Sequence, residues 1–153
     1  MFQPFALGVL SLYLLLGSST AHAAGTCTWE SAAARYGVNP YVLYAIAQQE
    51  SSLNPSAVNN NLNGSIDFGL TQINSQWLPH LKQFGINAHN LMDPCTNLHV
   101  GAYILALSVR QHGNTWNAIG AYHSSTPSRR DRYARSIYQR LRAMGQVSER
   151  MRE

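Results

Sequence analysis

Charge is scarce in this chain. Asp, Glu, Lys and Arg make up 12% of its residues, and only seven of them are carboxylates. So few acids can be weighed one at a time. Other chemistry is missing outright. No serine sits in a nucleophile elbow and no glycine-rich phosphate loop occurs, which removes the main sequence signals of a serine hydrolase or a nucleotide-binding enzyme. The two cysteines, Cys27 and Cys95, and the six histidines, at 22, 80, 89, 99, 112 and 123, form no recognisable metal-ligand pattern, so no metal and no other cofactor is expected. No Lys or Arg precedes Arg35. Beyond the first apolar run, no segment approaches the ~20 residues that a bilayer span needs.

That first run has the form of an export signal. Residues 5–16 are nearly all apolar, and Ala21-His22-Ala23 has the small-x-small pattern of a cleavage site. Its n-region is weak, with only the amino terminus for positive charge, so an uncleaved anchor is the alternative. The reading divides the chain into a signal peptide at 1–23, one domain at 24–145 and a flexible tail at 146–153. Contact with the membrane is then transient, through the signal alone. An exported chain with one cysteine pair points to a Cys27–Cys95 disulfide, worth about 4 kcal/mol for so long a loop; two free thiols are the alternative. The charge is unevenly placed, with a net of −1 before Ser128 and +5 from Ser128 onward. A basic terminal helix can attract nucleic acid, but export argues against that partner. A solvated helix face fits best, followed by an anionic envelope polymer, a membrane surface or an acidic protein.

The pattern is almost entirely helical. Residues 29–36 read as a helix closed by Gly37 in the left-handed conformation. Asn39-Pro40 is a cap followed by Pro at the first helical position, opening a second helix. Residues 52–65 form a long Asn-rich loop, the kind of segment that carries binding function. Residues 71–84 read as a helical piece interrupted near Pro79. Asp93-Pro94 opens a helix that ends before Gly113, Thr115 caps one from Trp116 to about His123, and the last runs from Ser128 to Met144 with Tyr133, Ile137 and Leu141 inward. Short strands are confined to the region around Ile66 to Phe68. The fold class is therefore mainly α, one compact helical domain with at most a small β element.

Sorting the acids leaves two. Glu30 suits the first turn of its helix, Asp93 is a cap, Asp131 sits among arginines, and Glu149 and Glu153 lie in the tail. Asp67 has a turn-making role open to it as well as a place near a cleft. Glu50 is the stronger candidate. Leu43, Ile46, Ala47 and Glu50 are spaced i, i+3, i+4, i+7, which puts the carboxyl group on the apolar stripe. Burial there raises its pKa, and a carboxyl protonated near neutrality can act as a general acid. The plainer reading is a stripe that has reached its polar end. Of the tryptophans, Trp77 and Trp116 have the option of stacking on a ligand, but helical Trp is more often core.

Three ordered segments then resemble one family. Gln49-Glu50-Ser51-Ser52-Leu53-Asn54-Pro55 resembles the Glu-Ser motif of lytic transglycosylases. Asp67-Phe68-Gly69-Leu70-Thr71-Gln72-Ile73-Asn74 resembles their Gly-Leu-Met-Gln-Ile-Asn motif, and Ala118-Ile119-Gly120-Ala121-Tyr122-His123-Ser124 their Ala-Tyr-Asn motif. The resemblance covers roughly residues 27–142 and is nearest to small exported members that accompany conjugation, secretion or pilus assembly. It implies a lysozyme-like fold, location in the periplasm, and peptidoglycan glycan strands as substrate, cleaved with formation of a 1,6-anhydromuramoyl product. By that resemblance Glu50 is the catalytic residue. Ser51 supports the turn or an N-acetyl group, Gly69 and Leu70 let backbone approach the glycan, and Gln72 and Asn74 are polar contacts. Tyr122 lies near Glu50 or the cleaved sugar, with His123 beside it. Thr71 stands where the family has Met, placing a smaller side chain in the cleft, and His123 where it has Asn. Two rival readings stand beside this one. The first is a goose-type muramidase that uses water. The second is a non-catalytic peptidoglycan-binding assembly factor.

Overall fold

The computed structural model describes residues 27–147. The expected signal at 1–23 lies outside them, as does most of the expected tail. Local chemistry starts each helix. Thr28 closes a capping box with Ser31 on α1 (Trp29–Tyr36). Asn39 accepts from the Tyr41 and Val42 amides to open α2 (Pro40–Ser51). Three short antiparallel strands follow, β1 (Val58–Asn60), β2 (Ile66–Phe68) and β3 (Ile73–Asn74), in spatial order 1-2-3. Their register sets Asn59 opposite Asp67 and Asp67 opposite Asn74, so one strand position gathers three polar side chains. Next come α3 (Leu78–Leu81), flanked by 3-10 turns, then α4 (Pro94–His112), α5 (Trp116–Ala121) and α6 (Pro127–Ala143).

Two expected elements differ. Residues 71–74 do not begin a helix: Gln72 takes a φ of 50° and residues 73–74 join the sheet. The last helix starts at Pro127 rather than after it, because Pro suits the first helical position.

Helix α2 is the axis of the fold. Leu43, Ala45, Ile46 and Ala47 have no exposed surface. One side of α2 packs with Ala32, Ala33, Leu98 and Ala102 of α1 and α4. The other packs with Leu105, Tyr133, Ile137 and Leu141 of α4 and α6. A third cluster of Ile73, Leu81, Leu91, Val100 and Ile104 seats the sheet on α4. Cys27 and Cys95 are bonded in a disulfide with Cα atoms 5.6 Å apart, tying the entry of α1 to the start of α4. His99, one turn beyond Cys95, brings its donor atom within 4.8 Å of both sulfurs. The sequence reading overlooked this i, i+4 spacing. With both sulfurs in a disulfide, no thiolate is available to a metal there.

Asn97 joins the sheet region to α4. It is fully buried. Its Oδ1 accepts from the Thr71 amide and hydroxyl at 2.8 Å each, and its Nδ2 donates to the Phe68 and Leu91 carbonyls at 2.7 and 2.8 Å. Every polar atom of the buried amide is thereby satisfied, as burial demands. Gly69 has a φ of 69°, and a Cβ there would stand 2.4 Å from the Asn97 Nδ2. Gly101 meets Thr71 in the same way, with 2.6 Å from a built Cβ to the Thr71 Oγ1. Small residues are required where this segment crosses α4.

Candidate active site

A cleft of about 750 Å³ runs between α2 and the sheet. One wall is helical and carries Glu50, Tyr122 and His123; the other carries Asn61, Asp67, Gln72 and Asn74 from the sheet and its loop. Glu50 enters from the last turn of α2, where its apolar stripe ends. Burial pushes its carboxyl group up to about 7; the Tyr133 hydroxyl, donating at 2.5 Å, opposes the rise, and the Asp67 charge adds to it. The desolvation outweighs the one hydrogen bond, so the group holds a proton near neutrality and can surrender it.

Tyr133 is set by its surroundings. Burial and the adjacent carboxylate drive its pKa far upward, with the Arg140 charge opposing. The phenol is therefore a donor throughout the physiological range. The His123 ring stacks on it at 4.8 Å between centroids, with an interplanar angle of 2°. Arg140 is held by its own bond to the Gln49 Oε1 at 2.9 Å. Tyr122 donates to the Thr71 carbonyl at 2.9 Å, and burial followed by the Glu50 charge raises its pKa. The His123 pKa is lowered, first by burial and then by Arg129, while Asp67 acts the other way.

On the opposite wall, the Asp67 oxygens accept from Asn61 at 2.8 Å and Asn74 at 2.7 Å. Asn74 also donates to the Ser65 hydroxyl and caps the 3-10 turn at Ser75–Trp77 through its Oδ1. The Gln72 amide is occupied too: its Nε2 donates to the Ala57 and Gly69 carbonyls, and its Oε1 accepts from Asn59 at 2.6 Å.

A sequence profile of the Transglycosylase SLT domain matches residues 27–140. The chain belongs to the lytic transglycosylase family. It is 42% identical to Invasion protein IagB of Salmonella typhi over 78% of each chain. It is also 38% identical to Protein IpgF of Shigella flexneri over 73% of this chain and 77% of that one, and 32% identical to the X polypeptide of Escherichia coli K12 over 85% and 80%. Its fold is similar to that of lytic transglycosylase Slt of Pseudomonas aeruginosa, solved as an inactive mutant, with a TM-score of 0.63 and 18% identity over 82% of this chain. The match takes in 25% of that longer protein. The chain is a peptidoglycan lytic transglycosylase with a lysozyme-like fold.

Within this transglycosylase the expected site residues divide. Glu50, Gln72, Asn74, Tyr122 and His123 line the cleft, and Ser51, Gly69 and Leu70 do not. Ser51 donates to the Leu70 carbonyl at 2.7 Å and to that of Ala47, so it staples the end of α2 to the β2–β3 turn. Leu70 is core, and Gly69 lies close against Asn97, so neither stands in the cleft lining. Thr71 differs from its expected place in the cleft: it is fully buried beside Gly101 and Asn97 and is not in the cleft lining.

Tyr133 is the residue that sequence reasoning missed. It was placed among the inward residues of α6, and its polar tip on an otherwise apolar stripe was the available signal. Trp77, weighed mainly as core, packs against the third core cluster and also lines the cleft. Trp116 lies elsewhere, edge-on to Tyr138 at 5.3 Å.

Proposed function

We propose that this transglycosylase cleaves the β-1,4 bond between N-acetylmuramic acid and N-acetylglucosamine with Glu50 as its single acid and base. Glu50 protonates the leaving oxygen. The resulting carboxylate then takes the proton of the muramoyl C6 hydroxyl, which closes the 1,6-anhydro ring. No water enters, so no second carboxylate is needed to activate one. Holding the sugar so that its own hydroxyl reaches the reacting carbon gives that hydroxyl its advantage over solvent. The observation that carries the reading is a carboxyl group in the cleft with its pKa pushed up to about 7 by burial and one phenolic donor against it, while the other cleft carboxylate, Asp67, is held by two amide donors. Tyr133 orients that carboxyl group and stabilises its anionic form between the two proton transfers. Gln72 and Asn74 hold the sheet wall in shape, and Tyr122 ties that wall to the helices through Thr71.

The enzyme works in the periplasm after removal of residues 1–23, and opens the wall locally for an envelope-spanning secretion, conjugation or pilus machine. The export pattern of the sequence and a relative named as an invasion protein support this placement. Digestion of purified sacculi followed by mass analysis tests the chemistry. The anhydro product is lighter by one water than the product of a hydrolase. Release of reducing muramic ends instead would sink the reading.

A further inference from the structure

The face of α2 away from the cleft carries a groove that the reaction does not use. At the N-terminal end of the helix lies a slot of about 280 Å³ walled by Trp29, Tyr41 and Tyr44, with Glu30 and Met144 also in its lining. Trp29 and Tyr44 meet edge to face, centroids 5.2 Å apart with an interplanar angle of 76°. Tyr41 is about half exposed, so its ring is open to a ligand. Rings set at a steep angle around a gap, with an anion at the rim, are the arrangement that holds a cationic side chain. No Lys or Arg forms an ion pair with Glu30 among the described residues.

A second depression of about 340 Å³ begins on the other side of Met144. Its walls are of opposite character: Gln48, Gln49, Gln139 and Arg140 supply amides and one guanidinium, of which the Arg140 Nε and the Gln49 Oε1 are bonded to each other. Met144 lines both, so the two depressions adjoin at that residue beside α2, and we take them as the two ends of one groove. Tyr41 and Gln48 are seven positions apart on α2. At a rise of 1.5 Å per residue, that is roughly 10 Å, the span of three to four extended residues. Aromatic rings with an acid at one end, and amides with a base at the other, define a directional receptor for a peptide.

We infer that this groove is a docking site for an extended segment of a protein partner. The segment places an Arg or Lys among Trp29, Tyr41 and Glu30, and its backbone and an acidic or polar residue against the glutamines and Arg140. Glu30 and Glu50 lie on different helices and face different depressions, so the partner holds the enzyme while the cleft stays free for glycan. This goes beyond the proposed reaction and does not depend on it.

The test is a titration of the isotope-labelled full-length mature chain with a capped Arg-Ala-Ala-Asp peptide, followed by NMR at the Trp29 indole and the side-chain amides of Gln48 and Gln49. The expected result is a saturable shift at both ends of the groove, with the cleft signals of Trp77 and His123 unmoved. Replacing the peptide's Arg by citrulline, which keeps shape and loses charge, weakens binding about tenfold, and Glu30→Gln weakens it severalfold. Glu30→Gln leaves sacculus digestion by the free enzyme unchanged. Equal binding of the citrulline peptide overturns the inference, as do shifts confined to the cleft. Tighter binding of a diaminopimelate-bearing stem peptide would make the wall itself the ligand. The tail beyond Val147 contains Arg150 and Arg152. If only a chain ending at Val147 binds the peptide, the groove's occupant is that tail, and the partner proposal fails.

Discussion

Glu50 and Asp67 face one cleft from opposite walls and are treated differently. The helical wall offers Glu50 a single donor, Tyr133, and withdraws water from it, and its pKa climbs to about 7. The sheet wall gives Asp67 an amide donor for each oxygen, from Asn61 and Asn74. The same functional group becomes a proton carrier in one setting and a fixed acceptor in the other. Roles are assigned here by neighbours rather than by residue type, and the walls are coupled through the Asp67 charge, which adds to the rise at Glu50.

Exchanging Glu50 for Gln is the most severe way to erase the contrast. We expect product release from sacculi to fall by at least about a thousandfold, while circular dichroism shows the fold retained. The same variant gives a stability signature. A carboxyl group with a raised folded-state pKa binds its proton more tightly in the native state. The wild-type protein therefore loses stability as pH rises from about 4.5 to about 7. Glu50→Gln escapes that loss. In urea melts it should match wild type near pH 4 and exceed it at pH 8, by up to about 3 kcal/mol.

Asn97→Ala attacks the frame of the sheet wall. Four hydrogen bonds are lost from a fully buried site. A cost of about 3 kcal/mol is expected in denaturant melts, an equilibrium change of more than a hundredfold. A loss below about 1 kcal/mol would mean that the turn holds without it.

Smaller changes sharpen the comparison through the sign of a shift. Tyr133→Phe removes the donor that favours ionised Glu50, so the alkaline limb of the rate profile should move to higher pH, with activity down about tenfold. Asp67→Asn removes a negative charge that raises the same group. Its limb should move to lower pH, with only a few-fold loss of rate. Limbs that move in the same direction would break the two-wall account. A loss in Asp67→Asn equal to that in Glu50→Gln would replace it with a two-carboxylate hydrolase.

Legibility in the sequence followed the range of each interaction. The α2 helix was readable because its cap, its proline and its apolar stripe lie within a dozen residues, and Glu50 is the end of that stripe. The turn from Gly69 to Gln72 was not. Its backbone is shaped by Asn97, more than twenty positions away, so a residue pattern that looks like a ligand contact is a crossing over α4. Thr71 was misplaced for the same reason. The strands are two or three residues long and rich in Asn, with too little alternation to declare a face. Tyr133 was legible as an inward residue and not as the partner of Glu50, because a periodicity reports which side a residue is on and not what it meets there.

The Glu50–Tyr133 bond spans 83 positions. During synthesis the chain emerges from its N-terminus, so Glu50 is made long before its phenolic neighbour exists. Helix α6 supplies Tyr133 and part of the core beside α2, so the setting that raises the Glu50 pKa is complete only once α6 has docked. A molecule whose last helix has not packed therefore lacks the setting that lets Glu50 keep a proton near neutrality.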